Sequence, residues 1–228
     1  MEQAAMKIIA HIRSDFPTKF GIPRQSGLVK DLTAQIVFTP EYRVPEAVRG
    51  LEDFSHIWLI WQFSKAVRED WSPTVRPPRL GGNTRMGVFA TRSPFRPNAI
   101  GLSCVKLLAV APSTPEGPVL TVAGADLMDG TPIFDIKPYI PYADCQPEAT
   151  GGFTDTAKDF LLDVEFPPEL LLRIPENRRA ALHGVLSHDP RPSYQHSPQR
   201  VYGMAFGNFD VRFRVEGSTL YVVDIQRR

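Results

Sequence analysis

Gly87-Val88-Phe89-Ala90-Thr91-Arg92-Ser93-Pro94-Phe95-Arg96-Pro97-Asn98 reads as a short apolar strand, Gly87–Ala90, that runs directly into a turn carrying two arginines and two prolines. Proline rings stiffen the backbone that bears those arginines. The same character extends on both sides. From Trp71 to Lys106 there is no Asp or Glu, yet the span holds Arg76, Arg79, Arg85, Arg92, Arg96 and Lys106. Cations fixed among prolines and glycines, with no acids between them, describe a rigid cradle for a polyanion or a carboxylate rather than a solvated helix face.

Strand patterns surround this segment. Met6, Ile8, Ala10 and Ile12 alternate with mostly polar neighbours, and Gln35–Thr39 reads as a second strand. Pro45–Leu51 predicts a short helix. Ser55–Phe63, rich in Ile and Trp, fits a buried strand. Ile100–Val110 and Val119–Ala123 follow, then a tight turn at Asp129-Gly130 and a strand over Ile133–Ile136. Many short strands joined by Gly/Pro loops, with little helical periodicity, predict a closed or nearly closed β-barrel. The pattern changes after Pro141. Ala149–Thr156 suits a linker, and Phe160–Phe166 reads as a strand. Pro168–His188 reads as a helix with Leu170, Leu171, Ile174, Leu182 and Val185 on its apolar side, interrupted at Pro175 and ended by Asp189-Pro190-Arg191-Pro192. Val211, Phe213 and Val215 alternate with Arg212 and Arg214, and Glu216-Gly217-Ser218 turns the chain into Leu220–Ile225. The expectation is a mainly β protein: a barrel over residues 1–145 and a small α+β unit over 146–228. At about 75 residues the second unit is near the lower limit for independent folding, so it should lean on the barrel or on a second subunit.

The 228 residues are 43% hydrophobic with a formal net charge of +1, enough for a sizeable core and too balanced for a histone-like nucleic-acid binder. No signal peptide is expected, and the most apolar run, His56–Phe63, is too short to span a bilayer. Cys104 and Cys145 lack metal-type spacing, and so do the five histidines, so no metal is expected. Reduced thiols fit a cytoplasmic protein. No Gly-x-Gly-x-x-Gly joins a strand to a helix, so a Rossmann-type nucleotide site is not indicated.

The Gly87–Asn98 segment resembles the signature of the TsaA-like family, whose bacterial members include a tRNA methyltransferase. The similarity continues through Phe20–Val29, Arg49–Trp58, Asp126-Leu127-Met128-Asp129-Gly130-Thr131-Pro132 and Asp135–Tyr139, then through Asp189–Tyr194 and Phe209–Val215. It spans nearly the whole chain. The resemblance implies a β-barrel that binds S-adenosyl-L-methionine, forms homodimers and methylates N6 of threonylcarbamoyladenosine at position 37, in the anticodon stem-loop of tRNA. Carried onto matching positions, it implies a donor site at Arg24, Gln25, Ser26, Ser64, Lys65, Arg92, Leu102, Ala125, Asp126, Leu127 and Met128. Ser64 stands where relatives often carry His. A backbone contact to the donor survives that change, and a side-chain contact does not.

The substrate's threonine carboxylate suits a planar arginine, which can grip it by two parallel hydrogen bonds. Anticodon-loop phosphates and the donor's own carboxylate want the same partner. Arg92 is therefore assigned to the donor or the reaction centre, and Arg76, Arg79, Arg85 and Arg96 to RNA or the substituent. The alternative is that these arginines brace loops against acids such as Glu52 and Asp53. N6 lies between a purine ring and a urea carbonyl, so a carboxylate can take its proton. Asp126 and Asp129 are the candidates, although Asp before Gly is also an ordinary turn residue. Arg191, Tyr194, Arg212 and Arg214 are expected to meet RNA. His56 reads as a hydrogen-bonded core histidine, and Trp58 and Trp61 as core or dimer contacts. Trp71 admits packing or base stacking equally. Two other functions compete with the methyltransferase: a non-catalytic RNA-binding barrel, and an enzyme, such as a methyltransferase, acting on a small anionic metabolite.

Overall fold

A computed structural model describes residues 5–77, 80, 83–155, 161–191, 197 and 199–228. Six strands close into an antiparallel barrel: β1 (Ala10–Arg13), β2 (Thr33–Phe38), β3 (His56–Gln62), β6 (Ile100–Ala111), β7 (Val119–Ala123) and β8 (Pro132–Pro138), in the spatial order β1-β2-β7-β6-β3-β8. Two further short strands, β4 (Thr74–Val75) and β5 (Met86–Gly87), form a separate ribbon. Closure removes every sheet edge from the barrel.

Side-chain alternation fills the interior. Ile57, Leu59 and Trp61 of β3 point inward and meet Val105 and Leu107 of β6, Leu120 and Val122 of β7, and Ile133 of β8. Each fully buried aliphatic side chain contributes about 1.5–3 kcal/mol of transfer free energy.

Two expected strands are shorter than their apolar patterns. Met6 and Ile8 are exposed, and β1 begins only at Ala10, opposite Phe38. β2 ends there because Pro40 starts a 3-10 turn. Gly87–Ala90 is not a strand beyond Gly87. Val88–Ala90 curls into a 3-10 turn that buries Val88 and leaves Phe89 72% exposed. The partner β4 is only two residues long, and the Thr91 N–H closes back on the Val88 carbonyl at 3.1 Å. The expected helix at Pro45–Leu51 is a pair of 3-10 turns, Pro45–Val48 and Leu51–Asp53.

After α1 (Pro141–Asp144), the C-terminal part contains β9 (Asp163–Glu165), α2 (Pro168–Leu171), α3 (Glu176–Ser187), β10 (Tyr202–Phe206), β11 (Phe209–Glu216) and β12 (Thr219–Arg227). These strands form a sheet in the order β10-β11-β12-β9, with β9 parallel to β12. Pro175 separates the two helices, as its missing N–H and fixed φ require. The strand expected over Phe160–Phe166 reduces to three residues, and Phe160 lies outside the described residues. β10 was not legible, because Tyr202-Gly203-Met204-Ala205-Phe206 lacks β-branched residues.

Three residues from the loop between β1 and β2 join the C-terminal core. Phe16, Val29 and Leu32 pack with Leu182, Val185, Met204, Phe206 and Phe213. Gly21 lies against Met204 with φ +89°, where a Cβ would strike the thioether. The barrel's first loop therefore doubles as part of the second unit's core. Among the described residues no helix is long and apolar enough to cross a membrane.

Candidate active site at one end of the barrel

The strand registers bring the ends of β3 and β7 and the start of β6 to one end of the barrel. The loop 24–27 is tied down there. The Gly27 N–H donates to the Gly124 carbonyl at 2.8 Å, and Gly124 N–H to the Leu32 carbonyl at 2.8 Å. Gly124 has φ +76°, and a Cβ there would lie 3.1 Å from the Gly27 Cα, so this close crossing needs glycine. The crossing sets Gln25 and Ser26 beside Asp126.

Arg92 reaches the same place from the arginine-rich turn, where its Nη1 donates to Gln25 Oε1. The turn is braced locally. Thr91 Oγ1 donates to the Val88 carbonyl at 2.9 Å and accepts from Ser93 N–H at 3.2 Å, while Arg96 Nη1 donates to the Thr91 carbonyl at 3.2 Å. Asp126 Oδ1 accepts from Ser103 Oγ at 2.6 Å, and Ser103 Oγ accepts from Trp61 Nε1 at 2.9 Å. Burial pushes the Asp126 carboxyl above the usual carboxylate range. The Ser103 hydroxyl, the backbone N–H groups of Asp126 and Ser26, and the Arg92 charge all pull it back.

Other expected donor-site residues distribute by burial. Leu102 points outward from β6, opposite Ile60 of β3, and is 55% exposed. Ser64 and Lys65 are exposed just past β3. Arg24 is exposed on the tied loop. Ala125 and Leu127 are buried in the barrel core, so only their backbone can face a ligand. The carbonyls of Leu127 and Met128 already accept from Ser14 Oγ and Thr131 Oγ1, at 2.8 and 2.7 Å.

Asp129 is not brought to this group. Its Oδ1 accepts from the Ser14 N–H at 3.0 Å, and it lines a cleft with Asp15, Arg178 and Asn208 at the junction with the C-terminal unit. The turn role of an Asp before Gly prevails there. That cleft and a second one beside Arg173 and Phe209 measure about 600 Å³ each, and neither includes Arg92, Gln25 or Asp126.

The arginines divide sharply. Among the described residues, Arg76, Arg85, Arg92 and Arg96 have no carboxylate within ion-pair distance, so bracing against Glu52 or Asp53 does not occur. Arg76 follows β4 and Arg85 precedes β5. With Val75 opposite Met86, both leave the ribbon at the same end. Arg79 and Tyr194 lie outside the described residues. The arginines expected to meet RNA in the C-terminal unit are already engaged. Arg191, its side chain 9% exposed, is held by Asp189 through Nε and Nη2 at 2.8 and 2.9 Å. Arg212 pairs with Asp210 at 3.4 Å and Arg214 with Glu216 at 2.9 Å. Arg212 and Arg214 therefore carry their charge as exposed pairs with acids rather than as free cations.

His56 is half-buried on β3, with Nδ1 2.9 Å from Ser55 Oγ. Trp58 Nε1 donates to Asp144 at 3.0 Å. Trp71 and Phe89, both exposed, stand with ring centres 6.0 Å apart, and Arg68 covers the Phe95 ring at 4.0 Å. Ser103 was missed in the sequence. Its signal is the inward row Gly101, Ser103, Val105, Leu107, where one polar residue interrupts an apolar face.

The chain matches the family profile described as the tRNA-methyltransferase O N-terminal domain over residues 11–145, and that of the TrmO C-terminal domain over 160–228. A tRNA (adenine(37)-N6)-methyltransferase of Escherichia coli (strain K12) is 42% identical over 229 residues, covering 96% of this chain and 97% of that one. A "probable S-adenosyl-L-methionine-binding protein" of Pyrococcus abyssi is 35% identical over 147 residues, covering 64% of this chain and 74% of that one. The crystal structure of TrmO from Pseudomonas aeruginosa superposes with a TM-score of 0.78 at 32% identity, over 99% of this chain and 100% of that one.

Proposed function

The chain belongs to the tRNA-methyltransferase O family, and from that membership we infer that it is an S-adenosylmethionine-dependent tRNA methyltransferase acting on adenine N6. The residues at the barrel end fit such a donor. Arg92 offers a guanidinium without an acidic partner for the donor's carboxylate, and Leu102 offers exposed apolar surface. When bound, the donor supplies an electrophilic methyl on sulfur, which N6 takes while the bond electrons stay on sulfur.

We further propose that the adenine acted on is N6-threonylcarbamoyladenosine at position 37 of tRNA. The observation that carries this reading is Arg92, which has no carboxylate within ion-pair distance, is held by the Gln25 amide, and acts on Asp126 through its charge. A substituent that brings its own carboxylate matches an arginine that lacks one. Arg92 orients the anionic partner. Asp126, held by Ser103, accepts in its carboxylate form the proton that N6 releases. Arg76, Arg85 and Arg96 hold anticodon-loop phosphates. Orientation contributes much of the acceleration, because the methyl donor is already reactive. Asp129 keeps its turn and takes no proton.

We also propose that the protein works as a homodimer. Leu108 on the outer side of β6 and Tyr142 beyond β8 are exposed, and a second subunit could cover them. Light scattering of the purified protein tests this, and a monomer at micromolar concentration would exclude it.

The function is tested with tRNA carrying the threonylcarbamoyl group and with the same tRNA lacking it. The purified enzyme with S-adenosylmethionine should methylate the first and leave the second almost untouched. Equal rates on both would remove the carboxylate argument. Binding of tRNA with no methyl transfer would favour the non-catalytic barrel, and transfer only to small anionic compounds would favour the metabolite enzyme.

A further inference from the structure

Among the described residues, the barrel buries two small polar side chains, Ser103 and Thr131, at 1% and 3% exposure. Thr131 is accounted for by its own turn, where its hydroxyl donates to the Met128 carbonyl at 2.7 Å. Ser103 has no such local reason. It occupies an inward position of β6 that packing alone would fill with Ala or Val, and it bridges two side chains from distant parts of the chain.

The direction of that bridge follows from chemistry. An indole N–H donates and never accepts, so Ser103 Oγ must accept from Trp61. A hydroxyl has a single proton, and with Trp61 placed so, that proton goes to Asp126 Oδ1. Oδ1 is therefore the oxygen already occupied by the hydroxyl proton, which favours Oδ2 for a proton arriving at this carboxylate. The indole is itself immobilised. Trp61 pairs across the sheet with Gly101, where any Cβ would run into its ring, and the Phe63 ring packs against it tilted by 60°, with 4.2 Å between ring centres.

We propose that Ser103 is a positioning residue of the methyl transfer: fixed by Trp61, it holds Asp126 Oδ1 so that Oδ2 faces the nucleoside and receives the N6 proton. This rests on the reading of Asp126 as the proton acceptor. The balance is simple. N6 gains the methyl, the former bond electrons remain on sulfur, and the proton released by N6 passes to Oδ2 and then to water. The charged group acting on Asp126 is Arg92, and the neighbouring polar groups are Ser103 and the backbone N–H groups of Asp126 and Ser26.

The test uses the full chain with Ser103→Ala, Ser103→Thr and Trp61→Phe. The readouts are melting temperature, the heat of S-adenosylmethionine binding, single-turnover methylation across pH, and carbon NMR titration of the Asp126 carboxyl, identified by its loss in Asp126→Asn. Ser103→Ala should bind the donor within about twofold of the parent and turn over about tenfold to a hundredfold more slowly. It loses a donor that favours the carboxylate, so both the NMR titration and the acid limb of the rate profile should move to higher pH. Ser103→Thr keeps the hydroxyl and should restore both. Trp61→Phe should move them in the same direction by less. A loss of rate that follows the melting temperature, with the titration and the limb unmoved, would overturn the role of Ser103. The titration is read without substrate, so it judges the bridge even if the reaction is misassigned. Parental turnover in Asp126→Asn would instead remove Asp126 as acceptor.

Discussion

The arginine-rich turn of the barrel and the strand pair β11–β12 of the C-terminal unit both display guanidinium groups, and they use them in opposite ways. In the turn and the ribbon that precedes it, Arg76, Arg85, Arg92 and Arg96 have no carboxylate partner among the described residues, and Arg92 donates to a neutral amide, Gln25. On β11, Arg212 and Arg214 meet Asp210 and Glu216, two residues away and therefore on the same side of the strand. Arg191 is likewise closed by Asp189. The four charges Asp210, Arg212, Arg214 and Glu216 sum to zero, so that face offers little long-range attraction to phosphate. The turn and ribbon keep their charge unneutralised, which leaves it free to attract an anion. Where the acids are missing distinguishes the two regions as much as where the arginines are.

This contrast can be broken by substitution. The largest effect is expected at Arg92. Arg92→Ala should lower methyl transfer by about a hundredfold or more, since a charge-assisted partner of the substrate or donor is lost. Arg92→Gln should in addition move the acid limb of the rate profile to higher pH. The Arg92 charge favours the ionised Asp126, and without it the carboxyl holds its proton to a higher pH. Turnover close to parental in either variant would take Arg92 out of the site. Next comes the pair Arg76→Ala and Arg85→Ala. Together they should weaken tRNA binding by about tenfold and flatten the salt dependence by about two phosphate contacts, read from binding titrations at several salt concentrations. An unchanged slope would show that the ribbon end does not touch RNA.

A paired arginine should respond differently. Arg178 meets Asp15 of the β1–β2 loop at 3.2 Å, and Asp15 also receives the Gly207 N–H on its carbonyl at 2.7 Å. Arg178→Ala should cost about 1 kcal/mol of stability by chemical denaturation and leave tRNA affinity intact. A loss of affinity without a loss of stability would mean that this arginine belongs with the other class. The smallest effect is expected from Arg212→Ala and Arg214→Ala. As exposed strand pairs they should each change stability by less than about 1 kcal/mol and leave the salt slope unmoved. A slope reduced by one per substitution would restore the RNA face expected from sequence.

Much of this was open to reading before any fold was known, and some of it was overlooked. The alternation of β3, β6 and β7 follows directly from their apolar residues. The pairing of Arg212 and Arg214 was equally readable, because Asp-x-Arg and Arg-x-Glu on a strand place opposite charges together. The mate of Arg191 also lies two positions away. By contrast, β9 joins β12 in parallel across more than fifty residues, and no local pattern announces a partner at that distance. The Val88–Ala90 turn deceived because four small and apolar residues look like a strand until the length of their partner is known.

By itself, the sequence determined the barrel class, through period-two apolar positions and Gly/Pro punctuation, and it marked the charged turn through the absence of acids from Trp71 to Lys106. It also carried the family resemblance. Only the tertiary structure decided that Phe16, Val29 and Leu32 belong to the second core, that Asp126 rather than Asp129 feels the Arg92 charge, and that Ser103 and Trp61 stand behind it. The physical reason is range. Backbone periodicity and steric preference act over a few residues, whereas the gathering of Gln25, Trp61, Arg92, Ser103 and Asp126 depends on strand registers and on Gly124, whose missing Cβ lets the chain at Gly27 cross closely.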